Sequence, residues 1–106
     1  AGISGLVCGS RLSEKSLKVL VLEARERLGG RLLSPCGVDL GASWLLGPRT
    51  EALAQGLGFS ILEQRDGWGT PGGGAPRLKG GYAQLPEALA RSMPSDAIRL
   101  GCHVTS

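Results

Sequence analysis

Aromatic side chains make up only 4% of this sequence: one phenylalanine, one tyrosine and two tryptophans in 106 residues. Any core must therefore be mostly aliphatic. It must also offset on the order of 100–200 kcal/mol of chain entropy, so a single small domain with a thin margin is expected. Long apolar runs are missing as well. No stretch approaches the roughly 20 residues needed to cross a bilayer, and no charged leader precedes a hydrophobic run, so no membrane partner is expected. Cysteine is scarce: Cys8, Cys36 and Cys102 are odd in number and lack metal-ligand spacing. That argues against a disulfide framework or a zinc site, and for a reducing intracellular compartment such as the cytoplasm. Nor does charge of one sign dominate. Twelve basic residues against nine acidic ones, net +3, are scattered rather than clustered, so nucleic acid is not expected as a partner. At 42% hydrophobic and 20% charged, the chain is still too apolar for the disordered class.

Glycine and proline are abundant instead, at 18 and 6 residues or roughly 23% together, about twice the usual share. Such a composition excludes a coiled coil. Ile3, Leu6, Val7 and Leu12 repeat at a partly helical spacing and predict a helix from near Ile3 to about Lys15. Lys18 to Leu22, KVLVL, has the length and composition of a buried parallel strand. One or two short strands are expected over Leu32–Leu33 and Val38–Trp44. Thr50 is expected to cap a helix over Glu51–Leu57 that Gly58 stops, and Phe59–Leu62 reads as a brief strand. Arg65 to Gly81, RDGWGTPGGGAPRLKGG, reads as a Gly/Pro-rich linker joining residues 1–64 to residues 82–106. Beyond it, Gln84 to Met93 regains helical character, with Pro86 in the first turn, Glu87 at the positive end and Pro94 as the stop. Ile98–Leu100 and His103–Thr105 suggest a final strand interrupted by Gly101. The alternation of helix and strand gives an α/β class. The sequence opens on a glycine turn without methionine, as a piece of a longer chain would.

Chemistry enters with the first glycines. A turn that brings backbone amides against a pyrophosphate needs glycine, because a side chain there collides with the phosphate. Gly2 and Gly5 have the spacing of the second and third glycines of G-x-G-x-x-G, and Ser4 between them offers a hydroxyl or amide. Eighteen residues beyond Gly5, Glu23 follows the KVLVL strand. That is close to the spacing of about 20 at which an acid accepts hydrogen bonds from an adenosine ribose. The bland alternative is that Gly2, Gly5 and Gly9 merely permit a tight turn and close helix packing. After Glu23 come Arg25, Arg27, Gly29, Gly30 and Arg31, a second bare stretch of backbone beside a fixed cation suited to phosphate oxygens. Glu26 and Arg27 themselves read as a solvated turn.

AGISGL, VLVLEARERLGGR, DLGASW and KGGYAQLPEALA together resemble the flavin-dependent amine oxidase family, especially its polyamine oxidase and flavin-type histone demethylase branches. The resemblance implies an incomplete Rossmann-like FAD-binding domain of the glutathione-reductase type, lacking its first strand and most of the substrate domain. In that reading residues 1–64 are the FAD-binding βαβ-derived region, and residues 82–106 are its helix-strand continuation. The cofactor is FAD, the partner in a full-length parent is an amine or polyamine, and the reaction is oxidative C–N cleavage with oxygen reduced to hydrogen peroxide. Carried over by residue, Gly2, Ser4 and Gly5 contact the pyrophosphate and Glu23 the adenosine ribose. Arg25 lies near the adenosine, Gly30 and Arg31 line the pyrophosphate-to-ribityl stretch, and Ala42, Ser43 and Trp44 pass close to the flavin ring. Ordinary core packing is the competing role for Trp44.

Departures from the family pattern limit the expectation. Only Leu45 to Lys79 separates DLGASW from KGGY, where the family normally inserts much of its substrate domain, so no residue is assigned a catalytic role. His103, the sole histidine, has no evident partners and reads as structural or surface. Cys8 reads as a small packing residue of the first helix. An alternative function is a noncatalytic truncated isoform or decayed product that binds a nucleotide or a partner chain. A related flavin desaturase or carotenoid-type oxidoreductase shares the glycine and GGR signatures, but GASW and GYAQLPEALA speak against it.

Overall fold

A computed structural model describes residues 1–65 and 71–105, with the backbone alone for Arg65 and residues 71–74. In chain order the elements are α1 (Ile3–Glu14), β1 (Val21–Leu22), a 3-10 turn (Pro35–Gly37), α2 (Pro48–Gly56), β2 (Ile61–Arg65), β3 (Pro71–Leu78), α3 (Gln84–Arg91) and β4 (Ile98–Arg99). They form two compact units, Ala1–Arg31 with Leu85–Ser106, and Leu32–Gln84.

In the first unit α1 begins where its spacing predicts, turning Leu6 and the small residues Gly9 and Ser10 inward. It ends as the Lys15 amide bonds the Leu12 carbonyl and Ser16 takes a positive φ of 59°. Only Val21–Leu22 of KVLVL becomes strand. Its parallel partner is β4, in the register Val21↔Ile98 and Leu22↔Arg99. The Glu23 amide donates to the Arg99 carbonyl at 2.9 Å, and the Cys102 amide donates to the Glu23 carbonyl at 2.8 Å. At Gly101, φ 64°, the chain swings so that its amide reaches the Arg25 carbonyl, and the strand expected to resume at His103 does not form. Leu85 and Leu89, one helical turn apart on α3, are buried together with Met93 and Ala97. A Cβ at Gly9 would lie 2.9 Å from both Met93 Cε and Val21 Cγ2, so the missing side chain lets α1 close upon them.

In the second unit the helix starts earlier than expected. Pro48, with fixed φ and no amide to satisfy, occupies the first turn after Gly47. The Thr50 hydroxyl donates back to the Leu46 carbonyl at 3.1 Å and caps nothing. Gly58, at φ 83°, follows the helix as expected. No strand forms over Leu32–Leu33 or Val38–Trp44. Positive φ at Cys36 (52°) and Gly37 (78°) folds this stretch tightly, with the Leu40 amide bonding the Leu33 carbonyl at 2.9 Å.

The expected linker also differs. Pro71–Leu78 pairs antiparallel with Ile61–Arg65, from Ile61↔Leu78 to Arg65↔Pro71, with register shifts on either side of Gln64. Residues 66–70 of that stretch lie outside the described residues. Glycine and proline are compatible with such a strand because Pro71 opens it and the irregular register relieves the ladder of missing donors. Leu32, Leu45, Ala54, Leu78 and Tyr82 are buried in this unit.

Burial raises the Tyr82 phenol above its ordinary pKa of 10.0. An unfolded chain loses that proton first, so the contribution to stability is complete below pH 10 and declines as pH rises through the folded-state value. Tyr82 is the sole tyrosine, so alkaline ultraviolet titration reads it directly. The folded chain should ionise at a higher pH than the urea-unfolded chain, and equal midpoints would contradict its burial.

Candidate functional site

Three stretches of the first unit converge at the start of α1. Gly2 precedes the helix in an extended conformation (φ −87°, ψ −179°), and no side chain caps the helix. The first-turn amides of a helix have no acceptor within it and carry the positive end of its dipole. The Gly29–Gly30 turn folds against this end: the Gly29 amide donates to the Ala1 carbonyl at 2.9 Å. A Cβ on Gly30, φ 57°, would sit 3.4 Å from Gly2 Cα. Arg27 braces the turn from within, its guanidinium donating to the carbonyls of Leu28 at 3.1 Å and Gly30 at 3.0 Å. It is therefore not the solvated side chain its charged surroundings suggest.

Glu23 sits at the mouth of the parallel pair, just beyond β1, and is only 9% exposed. Its Oε1 accepts the Arg25 amide at 2.8 Å, while Oε2 pairs with the Ala1 amino group. Burial, then Arg25 and Arg27, pull the pKa of that amino group below its ordinary 8.0. The side chains of Ser4, Arg25 and Arg31 are exposed. The structure thus gathers Gly2, Glu23 and Gly30 around the open end of α1.

The glycines here do different work. At Gly9 a Cβ has no room, but at Gly2 and Gly5 a Cβ would meet nothing within 4 Å, and neither residue has positive φ. Packing explains Gly9 and leaves Gly2 and Gly5 unexplained.

Ala42, Ser43 and Trp44 lie in the second unit, whose surroundings are their own. Ala42 is exposed, the Ser43 hydroxyl donates to the Gly41 carbonyl at 3.2 Å, and Trp44 is 47% exposed. Core packing of the indole is ruled out by that exposure. The Arg77 guanidinium lies 5.6 Å from its ring centroid. The same unit contains a cavity of about 480 Å3, walled by Asp39, Leu62, Gln64 and Arg77 among others. Asp39 and Arg77 were not singled out by the sequence; the pairing spans 38 residues and left no local pattern. Arg27 did leave one, since an arginine three residues before a glycine is within reach of its carbonyl in a tight turn. Cys8 is exposed on α1 rather than packed, and His103 is exposed.

Residues 1–57, which carry the whole of the glycine cradle, match the model of the NAD(P)-binding Rossmann-like domain. This chain belongs to that Rossmann-like family. Similarity to polyamine oxidases likewise falls on the N-terminal portion. A probable polyamine oxidase 4 of Arabidopsis thaliana is 53% identical over 55 residues, covering 48% of this chain and 11% of the relative. Polyamine oxidase 4 of Oryza sativa subsp. japonica is 44% identical over 67 residues, covering 58% and 14% respectively. An L-amino acid dehydrogenase of a Synechocystis strain is 45% identical over 50 residues, covering 42% and 11%. The Rossmann-like chain therefore spans between 11% and 14% of the length of these relatives. Among the described residues, no helix is long and apolar enough to cross a membrane.

Glycine in a helix costs about 1 kcal/mol relative to alanine. Gly5→Ala should therefore raise the stability of the ligand-free chain by roughly 0.5–1 kcal/mol, whereas Gly9→Val should lower it by about 1–3 kcal/mol through overpacking. Urea denaturation of the two variants checks this. A Gly5→Ala chain less stable than the parent would mean that Gly5 has a packing role after all.

Proposed function

We propose that this chain is the FAD-binding portion of an amine-oxidising flavoenzyme, built on a Rossmann-like domain of the glutathione-reductase type. The observation that carries the reading is the pair Gly2 and Gly5, bare where neither backbone conformation nor internal packing requires it, at an uncapped helix end. A ligand that needs the backbone itself accounts for both. A pyrophosphate is such a ligand: it accepts hydrogen bonds from first-turn amides and is drawn to the positive end of α1. The Gly29–Gly30 turn, closed onto Gly2, supplies the opposite wall, and Arg27 keeps that wall in place.

In this reading Gly2, Ser4, Gly5, Gly30 and Arg31 hold the pyrophosphate and the adjoining ribityl stretch. Glu23 accepts hydrogen bonds from the adenosine ribose, and Arg25 flanks the adenosine. A buried acid there disfavours a 2′-phosphate, which is consistent with FAD rather than a phosphorylated nicotinamide dinucleotide. Ala42, Ser43 and Trp44 would meet the flavin ring. When bound, FAD would supply the acceptor for a hydride from the carbon bearing the amine, with oxygen as the final electron acceptor giving hydrogen peroxide. The described residues bind and orient; none is assigned a proton transfer. The amine or polyamine substrate belongs to the full-length parent, and the polyamine oxidase relatives support that class.

A noncatalytic nucleotide- or partner-binding role is the second reading. It is favoured by the exposed Leu20 and Leu22 on and beside β1, whose one sheet neighbour among the described residues is β4.

The test is to express these residues within their complete reading frame and record the flavin spectrum. A yellow protein whose FAD affinity falls at least tenfold in Gly5→Ala, a loss of about 1.4 kcal/mol, is expected. A folded but colourless protein overturns the flavin reading. Concentration-dependent self-association of the 106-residue chain without flavin would favour the second.

A further inference from the structure

The second unit contains a carboxylate that the cofactor reading does not use. Asp39 has a side chain only 1% exposed. Its Oδ1 accepts the Ser34 hydroxyl at 2.5 Å and the Tyr82 amide at 2.7 Å. Ser34 Oγ in turn accepts the Ala83 amide at 2.9 Å. With Oδ1 fixed from two sides, Oδ2 is left facing Arg77, whose guanidinium nitrogen stands 3.4 Å away. Arg77 also lies over the Trp44 ring, 5.6 Å from its centroid, within the range of a cation–π contact.

The backbone and the ring of this segment are held separately. The Leu45 amide donates to the Pro76 carbonyl at 2.8 Å, and Leu45 is itself buried, so the main chain beside Trp44 is anchored without Arg77. The indole, half exposed, has Arg77 over its face. An arginine has many rotamers; a buried carboxylate on one side and an aromatic face on the other select among them.

We propose that Asp39 is a positioning residue for Trp44: held by Ser34 and the Tyr82 amide, it aims Arg77 across the indole and so sets the orientation of the ring. Trp44 is 47% exposed, so part of the ring is accessible to a ligand. What that ligand is rests on the flavin reading; the orientation itself does not.

The experiment uses the full chain carrying Trp68→Phe, which leaves Trp44 as the sole indole, and no flavin is added. Emission wavelength and acrylamide quenching of Trp44 are recorded for Asp39→Asn, Arg77→Gln, Arg77→Lys and the double variant Asp39→Asn/Arg77→Gln, with far-ultraviolet circular dichroism to check folding. Arg77→Gln should red-shift the emission and increase quenching. Arg77→Lys should retain most of the parent signal, because it restores a cation over the ring. Asp39→Asn should shift emission in the same sense, and the double variant should match Arg77→Gln alone. Parent-like emission in Arg77→Gln, or shifts that add in the double variant, overturns the proposal. Should Asp39→Asn not fold, the two arginine variants decide: rescue by lysine supports it, and equal shifts in both overturn it. Because flavin is absent, a failure to bind FAD leaves this outcome unaffected.

Discussion

The approach of one bare turn to another organises the first unit. Gly29 donates to the Ala1 carbonyl, and Gly30 presses on Gly2 so closely that a methyl group there would touch backbone. The positive φ of Gly30, a conformation that side chains disfavour, turns the chain back onto Gly2. The start of α1, the exit from β1 and the arginine-rich turn are consequently fixed to one another by atoms with little freedom to move. Arg27 supports this closure by donating to two carbonyls of the turn, acceptors that would otherwise be left without that partner.

The second unit depends on a different kind of constraint. Asp39 is a buried acid whose two oxygens are shared among a hydroxyl, an amide and a guanidinium. It joins the segment after the 3-10 turn to β3 and to the Gly81–Tyr82 turn that follows it, 38 and 43 residues further along the chain. A Cβ at Gly81 would lie 2.6 Å from Ser34 Cβ and 3.4 Å from Asp39 Oδ1, so glycine is what lets the turn reach the carboxylate. Here glycine serves polar contacts within the protein, whereas at Gly2 and Gly5 no internal contact or backbone conformation calls for it.

Much of the first unit was legible because its signals are local. The helical spacing of Ile3, Leu6 and Val7, the KVLVL run and the acid after it each depend on neighbours within a few residues, and α1, β1 and the position of Glu23 follow from them. Strand length was less legible. KVLVL is strand only where β4 lies beside it, and where β4 stops is decided by Gly101, nearly 80 residues later. Glycine and proline make Arg65 to Gly81 look like a linker because they disfavour a strand considered alone; pairing of Pro71–Leu78 with Ile61–Arg65 supplies backbone hydrogen bonds that no local pattern foretells. Asp39 and Arg77 were missed for the same reason. Their relationship is set by the fold of the hairpin, and a lone aspartate in DLGASW resembles any turn residue until its partners are in place.

The irregular hairpin has a consequence for how the chain behaves in company. Strands left flat and regular invite the strands of other molecules and seed aggregation. Two register shifts and the absence of amide donors at Pro71 and Pro76 make β2 and β3 a poor template for such recruitment. In a sequence with so few bulky side chains for a core, that irregularity limits the recruitment of foreign strands by the hairpin.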